Sequence, residues 1–328
     1  MSYHHLSACE RKVIARMYSN DHSNAEIARV LGRDASTIGR ELARNTCKDG
    51  VYRPKTASLI ARSRRKNVQI VPTLERCPKL LERVKDGLKR YWSPEQISGR
   101  MKHDGIAQRV SHQTIYRYIA KDRDANGELF TYLRHNNRKW RTYRPRGYKT
   151  GLGRLSGYRP IEERPQAVDT QERFGDWEGD TVRISKTRRT LATYVERQTC
   201  YLMSKVLENR TAPVLTTATR KMFRSLPAGA RKTITVDHGK EFAHFKELES
   251  GTSAKVYFAR PYCSTDKPIV ENINGLIRQF LPKRQSFDTL SQRELNKYIT
   301  LINNRPRKKL GYRTPNEVFK EKTIALGT

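Results

Sequence analysis

The sequence predicts a multidomain protein, an all-α N-terminal region followed by an α/β half built on a mixed sheet. Three observations carry that expectation. Apolar residues recur at helical spacing through the first half. Past residue 175, strand-like runs rich in Thr, Tyr and Val follow one another in series. Helix and strand then alternate, which puts helices on the faces of the sheet. The 328 residues leave room for two or more folded units.

The charge narrows the partners. Lys and Arg number 66 against 33 Asp and Glu, a formal net charge of +33. The excess is spread over both halves, so each half is expected to meet a polyanion: DNA, RNA or an anionic membrane surface. Five scattered cysteines without a CxxC pair support neither a disulfide framework nor a zinc knuckle, which suggests a reducing interior. No apolar run resembles a signal peptide or a membrane span, so the reading is a soluble, cytoplasmic protein with no membrane and no small-molecule substrate.

Residues 7–19 read as a first helix, ended by the polar break SNDHS. NAEIARVLGRDASTIGRELARN (24–45) then sets Ala28, Gly32 and Ile38 at the spacing of a helix-turn-helix. A small residue lets the second helix cross, glycine supplies the positive φ of the turn, and the isoleucine plugs the angle. With Ile27, Leu31 and Leu42 buried, the second helix turns Ser36, Thr37, Arg40 and Arg44 outward, toward a major groove and its phosphates. This domain is assigned to residues 1–46. A solvated helical hairpin is the plain alternative.

Residues 47–90 read as a basic helical connector that includes Arg62, Arg64, Arg65 and Lys66. Ser93, Pro94 and Gln96 open a further helix through a capping box, and Ser111 caps the next, with Ile115, Tyr118 and Ile119 inward. His112, Gln113 and Arg117 face outward. Residues 91–133 are thus either a second helix-turn-helix-like DNA-binding unit or a packing pair that spaces two domains. The basic, glycine-rich stretch 134–165 reads as a linker riding along phosphates.

Residues 166–328 form the α/β half. Strands are expected at 176–185, 191–197, 201–207, 232–237 and 254–258, and helices at 212–225, 241–249 and 269–280. This order is similar to the ribonuclease H-like fold, in which the first and fourth strands lie side by side. Asp180 falls on the first and Asp237 ends the fourth, while Glu271 begins the last helix, so the three acids can converge. Carboxylates amid a DNA-attracting surface make sense with cations between them, since Mg2+ takes oxygen ligands and is commonly held by carboxylates and substrate phosphate. A pair of ions activates an attacking water and stabilises a leaving oxygen in phosphoryl transfer. Each acid also has a bland reading: strand-edge charge, turn former and first-turn helix residue respectively. Asp176 and Glu178 share the strand face of Asp180 as rival ligands.

Across ELARN (41–45), WSPEQISGRM (92–101), SHQTIYRYI (111–119), GDWEGDTV (175–182), DHGKEF (237–242), ENINGLIRQFLPK (271–283) and NNRPRKKLGYRTPNEVF (303–319), the chain resembles the DDE transposases of the insertion sequence thirty family. The resemblance implies that Asp180, Asp237 and Glu271 are the catalytic, metal-binding triad. It further implies two Mg2+ ions, replaceable by Mn2+, and recognition of terminal inverted repeats and target DNA by a homo-oligomer. The setting would be the bacterial cytoplasm, with the protein nucleoid-associated when bound to DNA. His238 and the segment Thr265–Val270 depart from the usual pattern. Arg278, two helical turns past Glu271, is expected to clamp a phosphate. A DNA-binding regulator with an inactive ribonuclease H-like domain is the second reading. A tyrosine or serine recombinase is disfavoured because no covalent nucleophile stands in a suitable Arg/His setting.

Overall fold

The computed structural model describes residues 5–47, 49–67, 73–134, 157–184, 188–261, 263–282 and 287–326. The chain forms two compact units, 1–72 and 73–328.

The first unit has four helices: α1 (Ala8–Tyr18), α2 (Asn24–Leu31), α3 (Ala35–Asn45) and α4 (Pro54–Asn67). Ser7 and Ser23 start α1 and α2 with capping boxes closed by Glu10 and Glu26. Gly32 ends α2 in the left-handed region, at φ 60° and ψ 35°, as the turn requires. Ile14, Ile27, Ala28, Ile38 and Leu42 form the core, with Leu31 only half-buried against it. Tyr52 and Ala57 complete this core, so the start of the basic connector is part of the first unit. Within the core, Arg11 Nε donates to Glu41 Oε1 at 2.6 Å, and the Tyr52 hydroxyl donates to the same oxygen at 2.9 Å. A buried carboxylate is thereby matched by a cation and a second donor, the condition for tolerating it.

The second unit opens with α5 (Thr73–Arg76), α6 (Pro78–Lys89), α7 (Pro94–His103) and α8 (His112–Asp124). Leu74, Leu80, Val84 and Leu88 pack with Ile97, Met101, Val110, Ile115 and Ile119 in one core. The stretch 47–90 is therefore divided: its first part completes one core and its second part founds the next. Of the stretch 134–165 read as a linker, residues 135–156 lie outside the described residues.

The sheet follows α9 (Gln166–Asp169): β1 (Asp176–Arg183), β2 (Thr190–Glu196), β3 (Leu202–Leu207), β4 (Thr233–Val236) and β5 (Lys255–Phe258). Strand order is β3-β2-β1-β4-β5, with β1–β2 and β2–β3 antiparallel and β1–β4 and β4–β5 parallel. This is the ribonuclease H-like arrangement. One face, bearing Trp177, Tyr194, Ile234 and Val236, is covered by α10 (Ala212–Arg224), α11 (Phe245–Thr252) and Phe319 of α14 (Pro315–Ile324). The other, bearing Val182, Leu191, Val195 and Leu202, is covered by α12 (Pro268–Phe280) and α13 (Gln292–Asn303). The helix expected from residue 241 begins only at Phe245, because a 3-10 turn, Lys240–Phe242, intervenes.

The helical part of the second unit is docked on the sheet part. Arg100 of α7 donates through Nη1 and Nη2 to the two carboxylate oxygens of Glu317 on α14, each at 2.8 Å. Tyr91 stands edge-on to Phe280, whose ring stacks on Tyr298. Gly99 is a place where only glycine fits: a Cβ there would lie 2.2 Å from the ring of Tyr312. The α7 face is thus occupied by protein, while α8 keeps its outer face in solvent.

Candidate active site

Parallel pairing of β1 with β4 sets the site. Glu178 stands opposite Thr235 in the register, so two residues further on Asp180 is brought beside Asp237, just past the end of β4. Adjacent strands lie about 4.8 Å apart, which puts the two backbones within side-chain reach of one cation. That cation is Lys267. Its buried ammonium lies 3.7 Å from Asp237 Oδ2 and 4.0 Å from Asp180 Oδ1, and donates to the Gly179 carbonyl at 3.2 Å.

Asp180 is held at both oxygens. Its Oδ1 accepts from the Thr181 amide at 2.8 Å, and its Oδ2 accepts from Asn274 Nδ2 at 2.7 Å. Burial raises its pKa, Lys267 opposes the rise, and the charges of Asp237 and Glu241 add to it. Glu271, in the first turn of α12, keeps much of its surface in solvent; the partial loss of hydration at its carboxyl raises its pKa, with Lys267 opposing and Asp180 adding. These three acids therefore share one electrostatic neighbourhood around Lys267. Among the described residues, no three acidic, histidine or cysteine side chains close on a single point. The donor set is nonetheless all hard oxygen, and Asp180 and Asp237 already converge on a positive charge, so the residues fit a divalent cation of the Mg2+ type.

The rival acids have other employment. Asp176 accepts from Arg173 at 2.8 and 3.0 Å and from the Thr233 hydroxyl at 2.7 Å. Glu178, fully buried, accepts from Arg197 Nη1 at 2.5 Å. Its other oxygen accepts from the Ile269 and Val270 amides at 2.9 and 2.8 Å. A carboxylate thus caps the otherwise unpaired N-terminal amides of the very helix that carries Glu271. Sequence reasoning missed this role, as it missed Lys267 and Asn274. The pairing of 178 with 269–270 is long-range, and only the asparagine's position, one turn after Glu271, was a usable signal. Glu241, also missed, is buried and accepts from Thr181 Oγ1 at 2.8 Å and Arg210 Nε at 2.6 Å.

Arg278, expected to clamp a phosphate, is held to the backbone at both terminal nitrogens. Its Nη2 donates to the Arg183 carbonyl at 2.7 Å and its Nη1 to the Leu281 carbonyl at 3.4 Å. The departing residue His238 packs its ring on Tyr158 and Phe258, at centroid distances of 4.7 and 5.3 Å. On α3, Ser36, Arg40 and Arg44 are exposed and Thr37 is half-buried; on α8, His112, Gln113 and Arg117 are exposed. The α8 set is outward as expected, and so is the α3 set apart from the half-buried Thr37.

A family model described as a helix-turn-helix domain matches residues 2–45. The chain is 38% identical over 323 residues to the transposase for insertion sequence element IS4351 of Bacteroides fragilis, covering 97% of this chain and 96% of that protein. It is 34% identical over 329 residues to transposase InsI for insertion sequence element IS30A of Escherichia coli, covering 98% and 85%. The transposase for element IS1086 of Cupriavidus metallidurans is 35% identical over 323 residues, covering 97% and 94%. Among solved structures, the catalytic core domain of BIV integrase aligns with a TM-score of 0.37 and 14% identity, covering 47% of this chain and 99% of that one.

Proposed function

The chain belongs to the insertion sequence thirty family of transposases, DDE-type enzymes that act on DNA, and from that membership we propose how this one works. It binds the terminal inverted repeats of its element and catalyses Mg2+-dependent cleavage at the 3′ ends, then strand transfer into target DNA, by direct phosphoryl transfer without a covalent intermediate. Asp180, Asp237 and Glu271 hold two divalent ions, Mg2+ or in its place Mn2+. Such a pair supplies an activated water and charge neutralisation at the leaving oxygen.

The observation that carries this reading is the convergence of Asp180 and Asp237 on one ammonium across the β1–β4 pair, with Glu271 on a helix capped from β1. Asn274 and the Thr181 amide keep the Asp180 carboxylate in one orientation, so its lone pairs are preorganised. Lys267, anchored on the Gly179 carbonyl, fixes a positive charge where a scissile phosphate approaches. Ser36, Thr37, Arg40 and Arg44 of α3 read or position the major groove, and His112, Gln113 and Arg117 of α8 add contacts. Two element ends require a homo-oligomer, working on DNA in the bacterial cytoplasm and nucleoid-associated when bound; no helix among the described residues is long and apolar enough to cross a membrane.

The test uses purified protein, duplexes carrying the element ends, and Mg2+. Asp180→Asn, Asp237→Asn and Glu271→Gln should each abolish strand cutting while binding is kept or tightened, since negative charge beside phosphate is removed. Wild-type protein that binds its cognate ends but never cuts them with Mg2+ or Mn2+ would instead establish a DNA-binding regulator.

A further inference from the structure

Three buried arginines of this chain are each met by a carboxylate: Arg11 by Glu41, Arg197 by Glu178 and Arg164 by Asp169. A second set has no carboxylate, and that is the difference, since an unpartnered buried Nε also occurs at Arg164. Arg305, 3% exposed, donates from Nη2 to Gln279 Oε1 at 3.2 Å, and its buried Nε has no partner. Arg307 donates from Nη2 to the Ile302 carbonyl at 3.1 Å, and its buried Nε is likewise unpartnered. Arg134 comes in from the end of the helical part, with Nη2 so close to Gly275 that a Cβ there would lie 2.5 Å from it. No carboxylate of the described residues pairs with any of the three, and residues 135–156, which follow Arg134, contain no Asp or Glu.

Of the three, Arg305 is buried, Arg307 half-buried and Arg134 exposed; a guanidinium drawn out of water without a counter-charge is costly, and like charges near it add to the cost. Burial, and then the charges of Arg307 and Arg134, push Arg305 down to about 9; burial and Arg134 push Arg307 to about 10. An arrangement so unfavourable alone becomes favourable with an anion that accepts from several guanidinium forks at once, and a phosphate does this best.

Location says which phosphate. Gly275 and Gln279 follow Glu271 on α12 by four and eight residues, which at 1.5 Å per residue is about 6 and about 12 Å along the same side of the helix. We propose that Arg134, Arg305 and Arg307 bind a backbone phosphate of the DNA strand a short way along α12 from Glu271. The strand is thereby gripped beside the site of cutting. The inference rests on the transposase reading for its ligand and adds a subsite to it.

The experiment uses the full chain and a duplex of arbitrary sequence, because a phosphate grip is indifferent to bases and needs no cleavage. Binding is followed against salt for wild type, Arg305→Gln, Arg307→Gln and Gly275→Ala, the last of which displaces Arg134 without altering charge. Each variant should weaken binding about tenfold or more, as for a lost charged hydrogen bond, and should flatten the slope of log K against log salt by roughly 0.9. Without DNA, both Arg→Gln variants should melt at or above the wild-type temperature, since an uncompensated charge is gone. Lower melting with an unchanged salt slope would make these arginines merely structural and overturn the proposal. Phosphate-induced stabilisation of wild type alone, with unchanged DNA slopes, would assign the site to a free anion and overturn it too. Loss of cutting in the acid variants plays no part in this test, so failure of the triad and failure of the grip are separate results.

Discussion

Replacing Glu178 by Gln tests the link between the β1 strand and the helix carrying Glu271. The side chain keeps its size and one carbonyl oxygen, so the Ile269 and Val270 amides retain an acceptor. Arg197, 4% exposed, loses its one carboxylate partner among the described residues and keeps the bond from Nε to the Val168 carbonyl at 3.1 Å. Leaving one member of a buried pair uncompensated costs about 3–5 kcal/mol. For a unit of this size 1 kcal/mol moves the melting temperature by roughly 2–4 °C, so a fall of about 6–20 °C is expected. Scanning calorimetry on Glu178→Gln, Arg197→Met and the double variant measures it. The double variant should recover most of the loss, because its buried charge is gone. Cleavage should recover less than stability, since the amide caps α12 more weakly than a carboxylate and Glu271 is held less firmly. A single variant within 1 kcal/mol of wild type, or losses that simply add, would refute the coupling argued here.

Lys267→Met removes the charge shared by Asp180 and Asp237; Mn2+ affinity, read by titration calorimetry, should rise, and an unchanged affinity would separate the ammonium from the cation site. Gly32→Ala forces a side chain into a left-handed backbone with open space around it, so its cost should be the backbone strain alone, about 1–2 kcal/mol by denaturant melting. Hydrogen bonding from Arg100 holds the Glu317 carboxyl down to about 2, against an ordinary 4.5. The pair's contribution is therefore full above about pH 4.5 and is lost as pH falls toward 2, so acid should loosen α7 from α14 in hydrogen exchange. Glu317→Gln should remove that pH dependence, and a dependence that survives would point to another group.

The parts of this protein that sequence made legible are those set by local repetition. Ala28, Gly32 and Ile38 fix a turn within a few residues of themselves, and all three sit where the motif needs them. The approach of Asp180 to Asp237 is legible because strand order follows from the succession of strands and helices, and parallel register then pairs the strand ends. What stayed hidden depends on contacts between distant segments. Tyr52 looked like connector until its hydroxyl met Glu41, and Glu178 looked like a spare ligand until Arg197 and α12 closed on it. Arg278 was placed on the right helix, but its hydrogen bond to the Arg183 carbonyl is a tertiary fact no spacing encodes.

The order of these parts along the chain has a consequence for synthesis. The first helical core is complete by residue 67, whereas the acid neighbourhood needs α12, and Asn303 must still bond Leu202 to seat α13 on β3. Synthesis from the N-terminus therefore completes the helix-turn-helix unit well before Asp180, Asp237 and Glu271 can come together.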